Sequence, residues 1–437
     1  MSALTYSKPL TCSEHSSYRW TELTVPADKE VLLSLHRGLP NGAIIPTFDG
    51  FRTGSHCGLI QVGQTSIEIL PKIFSVAGLP EAQVDNRQLL ISMLGVVYDL
   101  PSWQKGDAVS GVNEHLLPFL IRAFLHETEI QLERGLFKTY VVFEGRLVRP
   151  RGRLMIPEIL REGPASSPGL VCEFDELTID NPYNQAILHA LYCARSALSG
   201  AHRLGIDCER MITLFSGVNR TSMTPDEIAK LPRNRLSARY SRVLQLAAWI
   251  IQATGPDVHH GGQRGLSLLF DMNKLFEEYV GRMCQRVLTG SGLRVSLQGP
   301  VLHLATDEKD KPAFNMRPDI VISLRDKPEM LVDTKWKRLE HTKWRDGVAQ
   351  GDIYQMHAYA RRYGVSEVVL FYPHHHGLTS EIGRWQSFTL LEEDQSIPKH
   401  QITVATLDLN DLKTVPNQLQ KLFSVIPNSS PLNCVPS

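Results

Sequence analysis

No Gly-x-x-x-x-Gly-Lys-Ser/Thr segment occurs anywhere in the 437 residues. The chain is therefore not expected to hydrolyse nucleotides through a P-loop, and any nucleotide-driven motor acting with it must be another polypeptide. Net charge is missing too: 46 basic and 46 acidic residues cancel, which argues against tight autonomous binding to DNA through bulk electrostatics. A neutral protein that handles DNA needs local patches or a partner. Seven cysteines (Cys12, Cys57, Cys172, Cys193, Cys208, Cys284, Cys434) are scattered with no Cys-x-x-Cys pair, so neither a disulfide framework nor a cysteine zinc site is expected. No apolar run approaches the roughly 20 residues that span a bilayer, and Met1-Ser-Ala-Leu-Thr-Tyr-Ser-Lys lacks the apolar core of a signal peptide. The expected location is cytoplasmic, with no membrane partner.

What is present divides into three regions. Residues 1–110 carry short alternating runs: Val31-Leu-Leu-Ser-Leu, Gly58-Leu-Ile-Gln-Val-Gly and Thr65-Ser-Ile-Glu-Ile-Leu-Pro-Lys read as strands, with Gly63-Gln-Thr-Ser as a hairpin connection. A 3.6-residue period appears from Gln88 to Val97. It dominates residues 111–255, over Leu116 to Arg134, Asn184 to Leu198 and Leu236 to Ala253, interrupted by the strand-like Lys138-Thr-Tyr-Val-Val-Phe-Glu. Around Thr254-Gly-Pro-Asp-Val-His-His-Gly-Gly-Gln-Arg-Gly the period stops and glycines accumulate, which opens a third region, 256–437. There Glu367-Val-Val-Leu-Phe-Tyr-Pro and Gln401-Ile-Thr-Val-Ala-Thr-Leu-Asp-Leu read as buried strands. The expected class is α/β in the α+β sense: a β-rich N-terminal region, a mainly helical middle, and a C-terminal domain with a mixed central sheet flanked by helices.

The third region holds the chemistry. Met316-Arg-Pro-Asp-Ile-Val-Ile-Ser-Leu, a turn at Lys327-Pro328 and Met330-Leu-Val-Asp-Thr-Lys-Trp-Lys predict an antiparallel hairpin. Its pairing can bring Asp319 at the head of one strand beside Asp333 at the tail of the next. Two close carboxylates do not both stay ionised without a cation, which suggests a hard, oxygen-loving ion such as Mg2+, with Mn2+ able to substitute. Lys335 shares a face with Asp333 by the two-residue strand period, so its amine can sit beside the ion or a scissile phosphate. That set suits phosphodiester hydrolysis. A surface hairpin with alternating charges is the plainer alternative.

Two neighbours bear on the choice. Phe270-Asp-Met-Asn-Lys-Leu-Phe-Glu-Glu-Tyr-Val-Gly-Arg-Met-Cys predicts a helix burying Phe270, Leu275, Phe276, Tyr279, Val280 and Met283, with Glu277 beside the stripe as a further metal ligand or a snorkelling surface residue. Asp352-Ile-Tyr-Gln-Met-His-Ala-Tyr-Ala-Arg-Arg-Tyr predicts a second helix with Tyr354, His357 and Ala358 on one face and Gln355 alongside, able to position a water or simply exposed. Elsewhere, Arg149, Arg151 and Arg153 would share one face of an extended segment and grip phosphates or an acidic partner, or serve as a solvated edge. The runs His374-His-His and His259-His260 have no ligand spacing and are expected as loop histidines, while Trp336 and Trp344 are expected to pack. The polar tail after Phe423 is expected to fray.

The order Glu277, Asp319, Asp333-Thr-Lys335, Tyr354-Gln355 resembles the PD-(D/E)xK nuclease superfamily. More closely, Leu275-Phe-Glu-Glu-Tyr-Val, Arg317-Pro-Asp-Ile, Val332-Asp-Thr-Lys-Trp-Lys and Asp352-Ile-Tyr-Gln-Met-His-Ala-Tyr resemble the McrC family, the nuclease subunit of the McrBC modification-dependent (type IV) restriction system. Ile67-Glu-Ile-Leu-Pro-Lys-Ile and Cys172-Glu-Phe-Asp-Glu-Leu-Thr-Ile-Asp-Asn-Pro-Tyr-Asn extend the likeness upstream. The resemblance implies a Mg2+-dependent DNA endonuclease in which Asp319, Asp333 and Glu277 serve the metal, Lys335 the transition state and Gln355 the water. It also implies DNA carrying modified bases and an McrB-like AAA+ GTPase hexamer as partners, with residues 1–255 as the docking and activation module. Two rivals stand beside it: a non-catalytic adaptor that only activates an NTPase ring, and another PD-(D/E)xK nuclease of resolvase or transposition type.

Overall fold

The computed structural model describes residues 9–23, 25–62, 65–73, 80–100, 115–162, 169–198, 203–254, 265–340, 347–375, 377–378, 382–391 and 400–424. The expected linker at 255–264, the hairpin residues 63–64, His259-His260, Trp344 and the tail lie outside them.

Near the start, β1 (Leu10–Ser13), β2 (Ser17–Arg19), β3 (Ile44–Pro46), β4 (Gly50–Thr53), β5 (His56–Val62) and β6 (Thr65–Leu70) are joined by α1 (Asp28–Leu35) and followed by α2 (Pro80–Val97). The run from Val31 to Leu35, expected as a strand, is the second half of α1. Val31, Leu32 and Leu35 pack on the core with helical spacing, and the acidic Asp28 and Glu30 in the first turn suit the positive end of the helix. Asp28 also accepts the Thr65 N–H at 2.9 Å, tying the helix start to β6.

The middle of the chain contains α3 (Leu116–Glu133), β7 (Thr139–Leu147), β8 (Arg153–Leu154), α4 (Ile156–Glu162), β9 (Leu170–Thr178), α5 (Pro182–Ala197), α6 (Arg203–Thr213), α7 (Pro225–Ala229) and α8 (Ser241–Thr254). Strands β7, β9 and β8 form a small antiparallel sheet whose main neighbours are each other and α4. It leaves Tyr140, Val142 and Leu177 exposed, at 69%, 59% and 51%, and Leu160 of α4 is 75% exposed.

The last region runs β10 (Gly265–Asp271), α9 (Met272–Leu288), β11 (Leu293–Leu297), β12 (Leu302–Thr306), β13 (Pro312–Met316), β14 (Ile320–Leu324), β15 (Lys327–Thr334), α10 (Gln350–Tyr363), β16 (Glu367–Pro373), β17 (Gly383–Thr389), β18 (Gln401–Leu407) and α11 (Val415–Phe423). Six strands make one mixed sheet, ordered β11-β14-β15-β16-β18-β17, with β15, β16 and β18 parallel. Alternation splits the sheet's side chains between two cores. Ile320, Ile322, Met330 and Val332 join the core that contains α9, whereas Val321 and Leu331 join the one that contains Met356, Tyr359, Ala360 and Tyr363 of α10. Strand β10 behaves differently: it pairs antiparallel with β5, so the N-terminal sheet reads β1-β6-β5-β10 and the α9 core runs without a break into the N-terminal region.

Beneath that sheet Glu68 of β6 is fully buried. Its carboxylate takes a two-pronged bond from Arg87, 2.8 Å from Nε and 2.7 Å from the terminal nitrogen, and a third from the Leu116 N–H at 2.9 Å; His115 Nδ1 lies 3.2 Å away. Burial pushes this carboxyl up, but Arg87, His115 and the Leu116 amide outweigh it and hold it down at about 2. A strand, the middle of α2 and the start of α3 therefore meet on a single charge. Glu68→Gln, which leaves Arg87 a buried cation without its counter-ion, is expected to lower the unfolding free energy by about 3–5 kcal/mol. A denaturant titration measures it. Because the folded-state value is depressed, this contribution is present above the ordinary carboxylate range and fades as pH falls from 4.5 towards 2.

Candidate active site at the end of the six-stranded sheet

The β14–β15 hairpin forms as expected, with its turn two residues earlier than the sequence suggests. Arg325 and Asp326 occupy the turn, with φ of 50° and 65°, and Lys327 already pairs with Leu324. A proline fits inside β15 because the register shifts between Ile322 and Ser323, and a bulge tolerates the missing N–H of Pro328. At the other end Ile320 faces Val332, so Asp319 stands one step further on, opposite Asp333. By parity both carboxylates and Lys335 lie on the α10 side of the sheet.

Each of the three is held differently. Asp319 Oδ2 accepts the Thr334 N–H at 2.8 Å and the Thr334 hydroxyl at 2.9 Å, so the partner strand itself fixes it. Asp333 is 2% exposed. Lys335 Nζ lies 2.5 Å from Asp333 Oδ2 as an ion pair, and among the described residues that oxygen has no other polar partner. Burial first, and the charge of Asp319 second, raise the Asp333 carboxyl to about 7; burial likewise raises Asp319 against the pull of Thr334 and Lys335. Burial disfavours the Lys335 ammonium, but Asp333, Asp352 and Asp319 overcome this and raise it. The end of the sheet thus concentrates negative charge around one amine.

Such a donor set can be tested against a divalent ion. An under-bonded buried carboxylate oxygen beside a second carboxylate offers hard donors, and Mg2+ commonly uses only one or two carboxylates while keeping its waters. Asp319 and Asp333 fit that demand. Among the described residues no group of three or more His, Cys, Asp or Glu side chains is close enough to hold an ion together, so Glu277 does not complete a protein cage here. It sits on α9, which packs on the opposite face of the sheet. Asp271, not Phe270, begins that helix as its cap, and Phe270 is buried from β10; Leu275, Phe276, Tyr279, Val280 and Met283 are buried as expected. Burial and then the charge of Asp319 raise the Glu277 carboxyl, so the two sense each other across the sheet end.

Residues not singled out in the sequence connect them. Gln298 donates from Nε2 to Glu277 at 2.8 Å and from its backbone N–H to the Asp319 carbonyl at 2.7 Å, while Arg317 donates to the Gln298 carbonyl at 3.1 Å and to its side-chain oxygen. Asp352, in the first turn of α10, is the other addition. Its charge raises both Asp333 and Lys335, and it takes Lys337 Nζ at 3.3 Å. Its spacing of three from Gln355, one helical face, was the available signal. Gln355 itself is exposed and donates to Tyr359 Oη at 3.0 Å; Tyr359 donates to the Arg317 carbonyl at 3.2 Å. No bond joins Gln355 to the three core residues among those described. The buried stripe of α10 is Met356, Tyr359, Ala360 and Tyr363, not the face of Tyr354, which is 63% exposed, because the i, i+3, i+4, i+7 set covers more of the sheet.

The remaining candidates are dispersed. Arg149, Arg151 and Arg153 do not lie on one extended face, since the chain turns at Gly152, φ 68°, where a Cβ would meet the Glu173 carbonyl at 2.2 Å. Arg151 donates to the Asp175 carbonyl at 3.1 Å and lies 4.7 Å over the Phe174 ring, and Arg153 is 3.8 Å from Glu173. His375 is buried, with Nε2 2.7 Å from the Leu339 carbonyl, and Trp336 packs on Phe276 at 5.3 Å.

The whole arrangement has relatives. A refined half-complex from the tetradecameric assembly of Thermococcus gammatolerans McrB AAA+ hexamers with bound McrC contains a chain similar to this one, with a TM-score of 0.67 at 17% identity, covering 95% of this chain and 100% of that one. The cryo-EM structure of the Thermococcus gammatolerans McrBC complex matches less closely, with a TM-score of 0.48 and 20% identity over 64% of this chain and 88% of that one. No curated protein matches. The family match describes a component of a restriction system. The family model for the McrBC 5-methylcytosine restriction system component matches residues 51–373, and the chain belongs to that family.

One contact reaches this site from far away in sequence. Glu14, just past β1 and 3% exposed, accepts Trp336 Nε1 at 3.0 and 3.1 Å and the Lys72 N–H at 2.9 Å. Burial outweighs those donors and raises its carboxyl to about 7. The folded state therefore holds the Glu14 proton more tightly, and this group's contribution to stability is full below pH 4.5 and lost as pH rises through 7. Between pH 5 and 8 the stability difference Glu14→Gln minus wild type is expected to rise by on the order of 3 kcal/mol. Parallel denaturation curves at both pH values provide the check.

Proposed function

We propose that this chain is the endonuclease subunit of a modification-dependent restriction complex. Asp319 and Asp333 bind a divalent ion, with Mg2+ as the natural choice and Mn2+ as a substitute, and the chain cuts DNA phosphodiester bonds. The observation that carries this reading is the buried Asp333 Oδ2, opposite Asp319, whose one polar partner among the described residues is Lys335 at 2.5 Å. When bound, the ion supplies Lewis-acid stabilisation of the charge that develops on the scissile phosphate. Lys335, 19% exposed at its side chain, supplies a fixed positive charge at the solvent side of the pair and stabilises a phosphate oxygen as charge accumulates there. Thr334 aims Asp319 by two hydrogen bonds, which favour its ionised form against the burial that raises the carboxyl. Glu277, braced by Gln298, biases Asp319 from the other face, and Gln355 orients the attacking water from α10.

The family membership supports an AAA+ partner, and the similar solved chain belongs to an assembly of McrB AAA+ hexamers with bound McrC. In our reading the chain docks on such a GTPase ring through residues 1–255 and stimulates it. The β7-β9-β8 sheet offers the apolar surface for that contact, with Tyr140, Val142 and Leu177 exposed on it. The ring, in turn, is the part that recognises the modified base.

Asp333→Asn is expected to lower strand scission at least 10²-fold, and Lys335→Ala about 10²- to 10³-fold. Both should leave GTP turnover by the reconstituted ring intact. The assay is cleavage of modified plasmid DNA with Mg2+, alongside phosphate release. Turnover with no scission by the wild-type chain would instead identify an adaptor. Tyr140→Asp combined with Leu177→Asp is expected to reverse the pattern, abolishing stimulated GTP turnover while the isolated chain keeps its thermal unfolding midpoint.

A further inference from the structure

A cleft of about 620 Å³ opens away from the sheet end, between the end of α2, the last turns of α3, the start of α8 and one side of α9. Arg134, Arg233, Arg239, Arg242 and Arg282 line it. Only two carboxylates, Asp99 and Glu127, share the lining, with Glu278 a further one close enough to act on Tyr98. A positive cavity of this kind is a local departure in a chain whose formal charge is zero.

Two of the guanidiniums are already engaged: Arg242 binds Asp99 at 2.7 Å, and Arg239 donates to the Gly135 carbonyl at 2.9 Å. Arg134, Arg233 and Arg282 make no ion pair among the described residues. Leaving three cations of one sign together in a concave surface is unfavourable unless an anion relieves the repulsion. A second observation points the same way. Gln131 is 4% exposed on the lining and its Oε1 has no hydrogen-bond donor, although a buried polar atom left unpaired costs about 1–3 kcal/mol. Glu127, 7% exposed, adds another buried acceptor, and the half-buried Tyr98 ring, edge-on to Trp249 at 4.7 Å, supplies an apolar wall. Cations at the rim, acceptors and an aromatic face within: the ligand that matches is anionic at one end and carries hydroxyl or amino donors at the other. The volume suits one such unit.

We propose that this cleft binds a nucleotide unit, with its phosphate held by Arg134, Arg233 and Arg282 and its sugar or base donors meeting Gln131 Oε1 and Glu127. Two sources offer that chemistry, a free nucleotide or one residue of a DNA strand. Binding does not depend on cutting, so it is measured on the full chain with EDTA present, using GMP, inorganic pyrophosphate and a labelled single strand of about 16 nucleotides as probes. Saturable binding of GMP, not displaced by the strand, identifies a free nucleotide. Binding of the strand with GMP as a weak competitor identifies DNA. In either case the triple substitution Arg134→Ala, Arg233→Ala and Arg282→Ala is expected to weaken binding at least tenfold, and Gln131→Leu to weaken GMP or the strand while leaving pyrophosphate unchanged. No saturable binding of any probe, or binding equal in the triple variant, overturns the proposal. Asp333→Asn is expected to bind normally, so a failure of the nuclease reading is distinguishable from a failure of this one.

Discussion

Asp319 and Asp333 face each other across an antiparallel ladder that is buried on both sides, and this forced closeness of like charges is the constraint around which the C-terminal half is arranged. Buried carboxylates are costly unless hydrogen-bonded or paired. Thr334 meets the cost for Asp319 with two donors, and Lys335 meets part of it for Asp333 through a single contact. What is left over appears as the raised Asp333 carboxyl and the under-bonded Oδ2. A structure built only for stability would place an apolar or fully bonded side chain here.

The rest of the fold keeps that site attached to the N-terminal region. Strand β10 crosses into the first sheet, the α9 core continues beneath both regions, and Glu14 binds the indole of Trp336 one residue beyond Lys335. Any shift of the end of β1 relative to the six-stranded sheet must therefore stretch a bond just beyond β15. The β7-β9-β8 sheet stands apart from this continuity, packed mainly on itself, with apolar side chains facing outward. The N-terminal half thus combines attachment to the six-stranded sheet at one place with an exposed apolar face at another.

Charge is distributed to match. The arginines that look free in the sequence, Arg151 and Arg153, are near acidic residues of β9, whereas Arg134, Arg233 and Arg282 gather from three separate stretches of chain into the cleft beside α3. A zero sum over the chain conceals this separation. Local potential, not net charge, governs where an anion settles.

Several elements were legible in the chain alone, because their physics is local. The β-branched runs Ile320 to Leu324 and Met330 to Thr334, separated by a polar turn, read as a paired hairpin, and the apolar stripe of α9 reads as a helix. Those two facts already bring Asp319, Asp333 and Lys335 to one end of one hairpin. The strand expected at Val31 failed because five residues carry both periods ambiguously, and Pro328 misled as a turn marker because a bulge accommodated it. Longer-range placements had no local signal. Gln298 joins Glu277 to Asp319 across 21 residues, Asp352 reaches Asp333 only because α10 packs on that face of the sheet, and Glu14 lies 322 residues from Trp336. Periodicity reports which side of its own element a residue occupies; which elements then meet is decided by how buried faces pair in three dimensions, and that is where the second carboxylate layer and the arginine cleft arise.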